Sequence, residues 1–172
     1  GYAAAQYQIA RIYELGRGIK DDIELAVSYY RLAAEQGIEA AQFRLAEFYE
    51  SGTGVTGNMQ TAVKWYEQAA KKGVMAAQYR LGELYSSGNT VALDEKMAFD
   101  WFKLAAEQGD ALSAFELGKA FEKGTDIPQD LAESLFWYEQ AAIQNHIPSQ
   151  YKAGLAYRYA RGVVKEPAMA AQ

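Results

Sequence analysis

The 172-residue sequence has no cysteine, three prolines and a single histidine. Without cysteine there is no disulfide, no thiolate metal site and no cysteine nucleophile, although the cellular compartment stays open. His146 has no sequence neighbour suited to nucleophilic or metal chemistry and reads as an exposed residue between helices. No apolar run approaches the roughly 20 residues that a membrane-spanning helix needs, so membrane insertion is not expected. Positive charge is also in short supply: 17 Lys and Arg against 22 Asp and Glu leave a net charge of −5. Nucleic-acid binders draw much of their affinity from a basic face laid against phosphates, and none is evident here. A phosphate loop of the form GxxxxGK[ST] is absent, and Gly16-Arg17-Gly18 lies in no βαβ unit. The many carboxylates fall at helix caps and exteriors, whereas a catalytic pair has to converge in a cleft. The reading is a chain without enzymatic, cofactor or metal chemistry of its own.

What the sequence has in abundance is itself. Read in units of 36 residues, it holds register without a gap. One column reads Ala5, Ala41, Ala77, Ser113, Ser149, and another Tyr7, Phe43, Tyr79, Phe115, Tyr151. A third is Ile9, Leu45, Leu81, Leu117, Ala153, followed by the small column Ala10, Ala46, Gly82, Gly118, Gly154. The column Tyr13, Tyr49, Tyr85, Phe121, Tyr157 completes the first half of the unit. Self-similarity at such a period is the mark of a repeat architecture.

Each unit predicts two helices. The apolar columns of the first, helix A, form one arc at 100° per residue. Its small column predicts close approach of a second helix. Helix A stops at Gly16, Gly52, Gly88 and Gly124, with Ala160 the exception, because glycine accepts a left-handed terminus. A second glycine position follows at Gly18, Gly54 and Gly162, replaced by Thr90 and Asp126. The aliphatic column Ile19, Val55, Val91, Ile127, Val163 is expected to pin the turn to the core.

Asp22, Asn58, Asp94 and Asp130 start helix B, with Glu166 in the fifth unit. Side chains of this kind accept hydrogen bonds from unpaired first amides, worth about 1 kcal/mol each. Pro148 and Pro167 fit the first turns of helices, where no amide is missed. Inside helix B stand Ala26, Ala62, Ala98, Ser134 and Ala170, then Tyr29-Tyr30, Trp65-Tyr66, Trp101-Phe102 and Trp137-Tyr138, then paired alanines. The four aromatic columns read as core, so that Trp101→Ala is expected to cost about 3–5 kcal/mol. Gly37, Gly73, Gly109 and Asn145 close the helix. Outside those columns, Tyr159 is either exposed or covered by a further repeat.

Ala77, Leu81-Gly82, Tyr85, Gly88, Asp94, Ala98, Trp101-Phe102, Ala105-Ala106 and Gly109 resemble the Sel-one-like repeat (SLR) family, a subclass of tetratricopeptide-like solenoids. The likeness covers the whole chain. It implies an all-α fold, a right-handed α/α superhelical solenoid of antiparallel helix pairs. Its units would be about 3–37, 38–73, 74–109 and 110–145, with a partial fifth over 146–172, in a single array belonging to a longer chain. The family's disulfide-bearing bacterial members find no parallel in a chain without cysteine. Members mostly hold other proteins together, so the resemblance implies a protein-interaction scaffold. It also points toward a periplasmic or secreted bacterial location.

Specificity in repeat arrays lies in the variable columns. Two of these lie opposite the core arc of helix A, on the side that the resemblance makes concave. They supply the candidate partner-binding residues Gln8, Arg11, Arg44, Glu47, Arg80, Glu83, Glu116, Lys119 and Lys152. Arg44–Glu47, Arg80–Glu83 and Glu116–Lys119 are also i,i+3 pairs of opposite sign, each worth about 0.2–0.5 kcal/mol to a helix. They line a groove or they merely solvate an exposed face. A groove so neutralised suits a mixed polar and apolar protein or peptide ligand. Charge reversal at Arg44, Arg80 and Glu83 is expected to abolish capture with little change in melting temperature. The alternative is a spacer or assembly module whose copies associate end to end.

Overall fold

Asp22 opens the first well-capped helix by accepting a hydrogen bond from the Leu25 amide at 2.9 Å. Asn58 does the same for Thr61 at 2.9 Å, and Asp94 for Met97 at 2.8 Å. Asp130 accepts from Ala132 and Glu133 at 2.9 and 3.0 Å. These four caps set the start of every second helix in a computed structural model that describes residues 2–124 and 127–163. The expected cap Glu166, together with Pro167, Ala170 and Asp126, lies outside the described residues.

Among the described residues there are nine α-helices and no strand. They are α1 (Tyr2–Leu15), α2 (Ile23–Glu35), α3 (Glu39–Ser51), α4 (Met59–Lys71), α5 (Met75–Ser87), α6 (Glu95–Glu107), α7 (Ala111–Lys123), α8 (Leu131–Ile143) and α9 (Ile147–Arg158). The chain divides into two compact units, Gly1–Leu93 and Asp94–Gln172. In the first, α1 packs on α2, α2 on α3, α3 on α4 and α4 on α5. In the second, α6 packs on α7, α7 on α8 and α8 on α9.

Helix A ends as expected in a left-handed residue, with φ of 71° at Gly52 and 66° at Gly124. Ala160 adopts the same conformation at φ 50° although it carries a Cβ. Asn145 likewise stands in for glycine at the end of α8, with φ 63°.

The core is narrower than the aromatic columns imply. Tyr30, Tyr66, Phe102 and Tyr138 are buried, but their neighbours Tyr29, Trp65, Trp101 and Trp137 are only half-buried. In helix A the rings of the two repeated columns from Tyr7 to Phe121 are half-buried too, Phe48 outside them is buried, and Tyr151 and Tyr157 are exposed. Two consecutive helical positions point about 100° apart, so only one of each aromatic pair can face the neighbouring helix squarely. The cost of Trp101→Ala is correspondingly below that of a fully buried ring. Buried alanines do much of the packing, among them Ala33, Ala41, Ala69 and Ala77 at 0% exposure. The turn column also divides: Val55 packs on the first unit's core and Val163 on the second's, while Ile19 is exposed.

The small column is required by contact in α7. A Cβ on Gly118 would stand 2.6 Å from the Tyr138 ring, nearer than side-chain carbons approach. His146 departs from expectation. It is half-buried at the N-cap of α9, with its ring 4.9 Å from that of Phe115 and Nδ1 2.8 Å from Ser149 Oγ.

Candidate functional site

Three side chains, spaced 16 and 14 residues apart, meet repeatedly. Glu50, near the end of α3, accepts the Tyr66 hydroxyl at 2.6 Å and Arg80 Nε at 3.0 Å. Arg80 turns its Nη1 to Glu83 at 2.9 Å. One unit earlier Glu14 takes both the Tyr30 hydroxyl and Arg44 Nη2, and Arg44 Nη1 reaches Glu47 at 2.5 Å. In the second compact unit Glu122 accepts Tyr138 at 2.7 Å and Lys152 at 2.8 Å. A carboxylate of one helix A thus holds the following helix B and the helix A after that.

The electrostatics follow from this geometry. Burial pushes Glu50 up, but the hydrogen bonds from Arg80 and Tyr66 and the Arg80 charge outweigh it, leaving its carboxyl below the ordinary range. Glu122 is lowered in the same way, with burial overcome by Lys152, Tyr138 and the more distant Arg161. Burial, and then the carboxylate beside each hydroxyl, raise Tyr30, Tyr66 and Tyr138 well above the ordinary tyrosine range. For Arg44, hydrogen bonds to Glu47 and Glu14 override burial and strengthen the charged form.

Two further linkages recur where a helix B meets the next helix A, at α2–α3, α4–α5 and α8–α9. Arg31 donates to the Tyr49 hydroxyl at 2.9 Å, Tyr85 donates to Glu67 at 3.2 Å, and Tyr157 donates to Glu139. Gln42, Gln78 and Gln150 donate to the carbonyls of Ala34, Ala70 and Ala142 at 3.1, 3.0 and 3.2 Å. Those carbonyls belong to the last turn of a helix, where intrahelical partners run out. The α6–α7 seam is built differently. Ala114 replaces the glutamine, Phe121 the tyrosine and Glu116 the arginine, while Phe102 has no hydroxyl. Phe99 and Phe121 meet edge to face there at 5.5 Å, and Asp110 caps α7 through the Ser113 amide at 2.7 Å.

This arrangement sorts the sequence candidates. In the first compact unit Arg44 and Arg80 are committed to Glu14 and Glu50, so they join helices as well as face outward. Glu47 and Glu83 lie on the outer side of these pairs, with side chains 36% and 38% exposed. Gln8 is exposed, and Arg11 lies 5.9 Å over the Tyr7 ring. In the second, Lys119 pairs with Glu116 at 2.6 Å and lies 5.2 Å from the Phe115 ring centre, and Lys152 pairs with Glu122. Reversing Arg44 and Arg80 therefore cannot leave the melting temperature nearly unchanged, because it would set like charges on Glu14 and Glu50. The sequence reading missed the carboxylate column itself. Its signal was a coordinated substitution: Ser86, Phe102 and Glu116 replace carboxylate, hydroxyl and cation together in one register.

Beside Glu122 and Lys152 the second unit has a cleft of about 400 Å³, lined in part by Leu135, Tyr138, Leu155, Ala156 and Arg161. Among the described residues no cluster of His, Asp and Glu is placed to hold a metal ion, and no helix is long and apolar enough to cross a membrane.

The Sel1 repeat pattern matches residues 3–38, 39–74, 76–110, 111–146 and 147–172. The chain belongs to the Sel1 repeat family. Two solved structures agree with that assignment. A protective antigen of uropathogenic Escherichia coli strains displaying an SLR fold superposes with a TM-score of 0.88 at 32% identity, over 96% of this chain and 36% of that one. A Sel1 repeat protein from Oxalobacter formigenes gives 0.87 at 34% identity, over 94% of this chain and 66% of that one. A third Sel1 repeat protein, from Klebsiella pneumoniae, shares the fold at a TM-score of 0.52 and 18% identity. The chain thus spans less than two thirds of the first two relatives' lengths. A comparison with curated proteins finds no match. Sel1 repeat arrays are generally protein-interaction scaffolds rather than catalysts.

Proposed function

We propose that this Sel1 repeat array binds a protein or peptide partner on the helix-A face that carries its two variable columns, the side expected to be concave. The observation that carries the reading is the division of labour among residues. Invariant positions are consumed by the core, and Arg44, Arg80 and Lys152 by their ties to the carboxylate column, whereas Gln8, Glu47, Glu83 and Lys119 lie in variable columns and remain at least partly accessible. Arg11, Arg44, Arg80, Glu116 and Lys152 frame them. Mixed charges already paired at short range favour a segment of mixed polarity over a highly charged one.

Site-specific photo-cross-linking tests this. A cross-linking residue at Gln8 or Lys119 is expected to capture one polypeptide from native lysate, with controls at Lys64 and Asp100 on helix B capturing none. Neutralising Glu47 and Glu83 to Gln should reduce capture and leave Arg44 and Arg80 in place. Capture only from the helix-B positions overturns the assignment of the face. End-to-end self-association is the second reading, favoured by the exposed Tyr151 and Tyr157 of α9, at 67% and 56% exposure. Sedimentation that stays monomeric across concentration rejects it.

A further inference from the structure

The cleft beside α9 has a counterpart near the start of the chain that is filled. Shifted by three units, Tyr30, Arg44 and Phe48 correspond to Tyr138, Lys152 and Ala156, and Val27 corresponds to Leu135. In the first unit the Phe48 ring is 6% exposed, lies 5.7 Å from the Tyr30 ring and is covered by the Arg44 guanidinium at 5.1 Å. In the later register the tyrosine and the cation are kept, with Lys152 5.8 Å from the Tyr138 ring centre, but alanine stands where phenylalanine stood. In the column Ile12, Phe48, Leu84, Ala120, Ala156 the side chain falls from phenylalanine to alanine after Phe48, and the cleft lies at the last member.

The lining has changed with it. Glu47 has become Leu155, which makes the wall more apolar, and Thr53 has become Arg161. Lys152 pairs with Glu122 and Arg161 acts on the same carboxylate at longer range, leaving an excess of positive charge at an opening where Gln129 and Ser134 stand beside apolar and aromatic side chains. An aromatic ring is attracted to such cations through its π face, and a carboxylate through its charge.

We propose that this cleft is a socket for an aromatic side chain of a partner segment, with a carboxylate beside it. The ring takes the place over Tyr138 that Phe48 takes over Tyr30. Arg161 meets the carboxylate, which comes from an acidic neighbour or from a chain end. The socket rests on the reading that a peptide engages the helix-A face, since Lys152 and Leu155 occupy its two variable columns.

N-acetyl-phenylalaninate, N-acetyl-phenylalaninamide and N-acetyl-alaninate separate ring from charge, followed by NMR shifts of the Leu135, Leu155 and Ala156 methyls. The expected result is saturable millimolar binding of N-acetyl-phenylalaninate, binding of the amide several-fold weaker, and no saturation with the alanine compound. Arg161→Gln should remove the preference of acid over amide while ring binding persists. Ala156→Phe should abolish binding of both aromatic probes and leave the melting temperature unchanged or higher; Ala156→Leu provides the same test with a smaller filling. Absence of saturable shifts in the native protein overturns the socket, as does binding undiminished in folded Ala156→Phe or Ala156→Leu. Equal binding of the alanine compound overturns it too. Cross-linking from Gln8 that survives such a result leaves the helix-A face standing and rejects the socket alone. Probe binding without that cross-linking rejects the wider face and keeps the socket.

Discussion

Tyr66 gives its hydroxyl hydrogen to Glu50 at 2.6 Å, and the two residues come from successive helices, α4 and α3. Because Arg80 of α5 donates to the same carboxylate, one acidic side chain orders three helices. Removing it strands a buried hydroxyl and releases a cation together.

Glu50→Ala is therefore expected to lower unfolding free energy by about 1.5–3 kcal/mol, the range for hydrogen bonds involving charged groups. Glu50→Ala and Arg80→Met should not be additive, with a coupling of about 0.5–2 kcal/mol in a double-mutant cycle. Urea titration of the four proteins measures it. A coupling indistinguishable from zero would show that the pair is incidental.

Stability should fall at both ends of the pH scale, for opposite reasons. Glu50 and Glu122 sit below their ordinary value of 4.5 in the folded chain, so the unfolded chain binds protons first as pH drops. Their contribution is present above about 4.5 and is lost as pH falls through the lower folded values. Tyr30, Tyr66 and Tyr138 are raised above the ordinary 10.0, so their contribution is present below about 10 and is lost as pH climbs past it. Melting temperatures across pH, compared with those of Glu50→Gln and Tyr66→Phe, should show a shallower acid limb in the first variant. The second should show a shallower alkaline limb. Identical profiles in native and variant proteins would remove these groups from the account.

Two glycines in one column should respond oppositely to alanine. Gly118→Ala drives a methyl into the Tyr138 ring and is expected to destabilise by about 1–3 kcal/mol. Among the described residues nothing lies within 4 Å of a Cβ added at Gly154, so alanine there should gain up to about 1 kcal/mol from helix propensity. Thermal melts of the two variants check the contrast, and a shared direction of change would contradict it.

Much of this was visible before any coordinates. The 36-residue register, the Asp and Asn caps and the glycine ends each rest on local rules, and local rules are written in consecutive residues. Burial was harder to read. Tyr66 and Trp65 are adjacent and equally hydrophobic, and only the direction of the neighbouring helix decides which one is enclosed. The candidate face was legible as a pair of variable columns, but the ties of Arg44 and Arg80 to Glu14 and Glu50 span 30 residues. The cleft at Ala156 was invisible because a small residue in a variable column has no meaning until the large one at Phe48 is seen filling its space.

The α6–α7 seam offers a reconstruction. Tyr85–Glu67 and Tyr157–Glu139 occupy the register of Phe121 and Lys103. Lys103→Glu combined with Phe121→Tyr should therefore exceed the sum of the two single changes by about 0.5–1.5 kcal/mol, the usual net value of such a bond. Chemical denaturation of the single and double variants measures the excess. Strict additivity would mean that this seam does not share the geometry of the other two.

That seam also separates the chain's responses to its surroundings. Ion pairs are screened by salt, whereas apolar contact weakens on cooling and strengthens in sulfate. The α2–α3, α4–α5 and α8–α9 joints carry charged linkages around them and should soften as ionic strength rises. The α6–α7 joint combines the Phe99–Phe121 contact with one exposed ion pair, Lys123 to Glu95 at 3.5 Å, so it should respond less to sodium chloride than the others and more to cold. Salt and cold should therefore loosen different joints first.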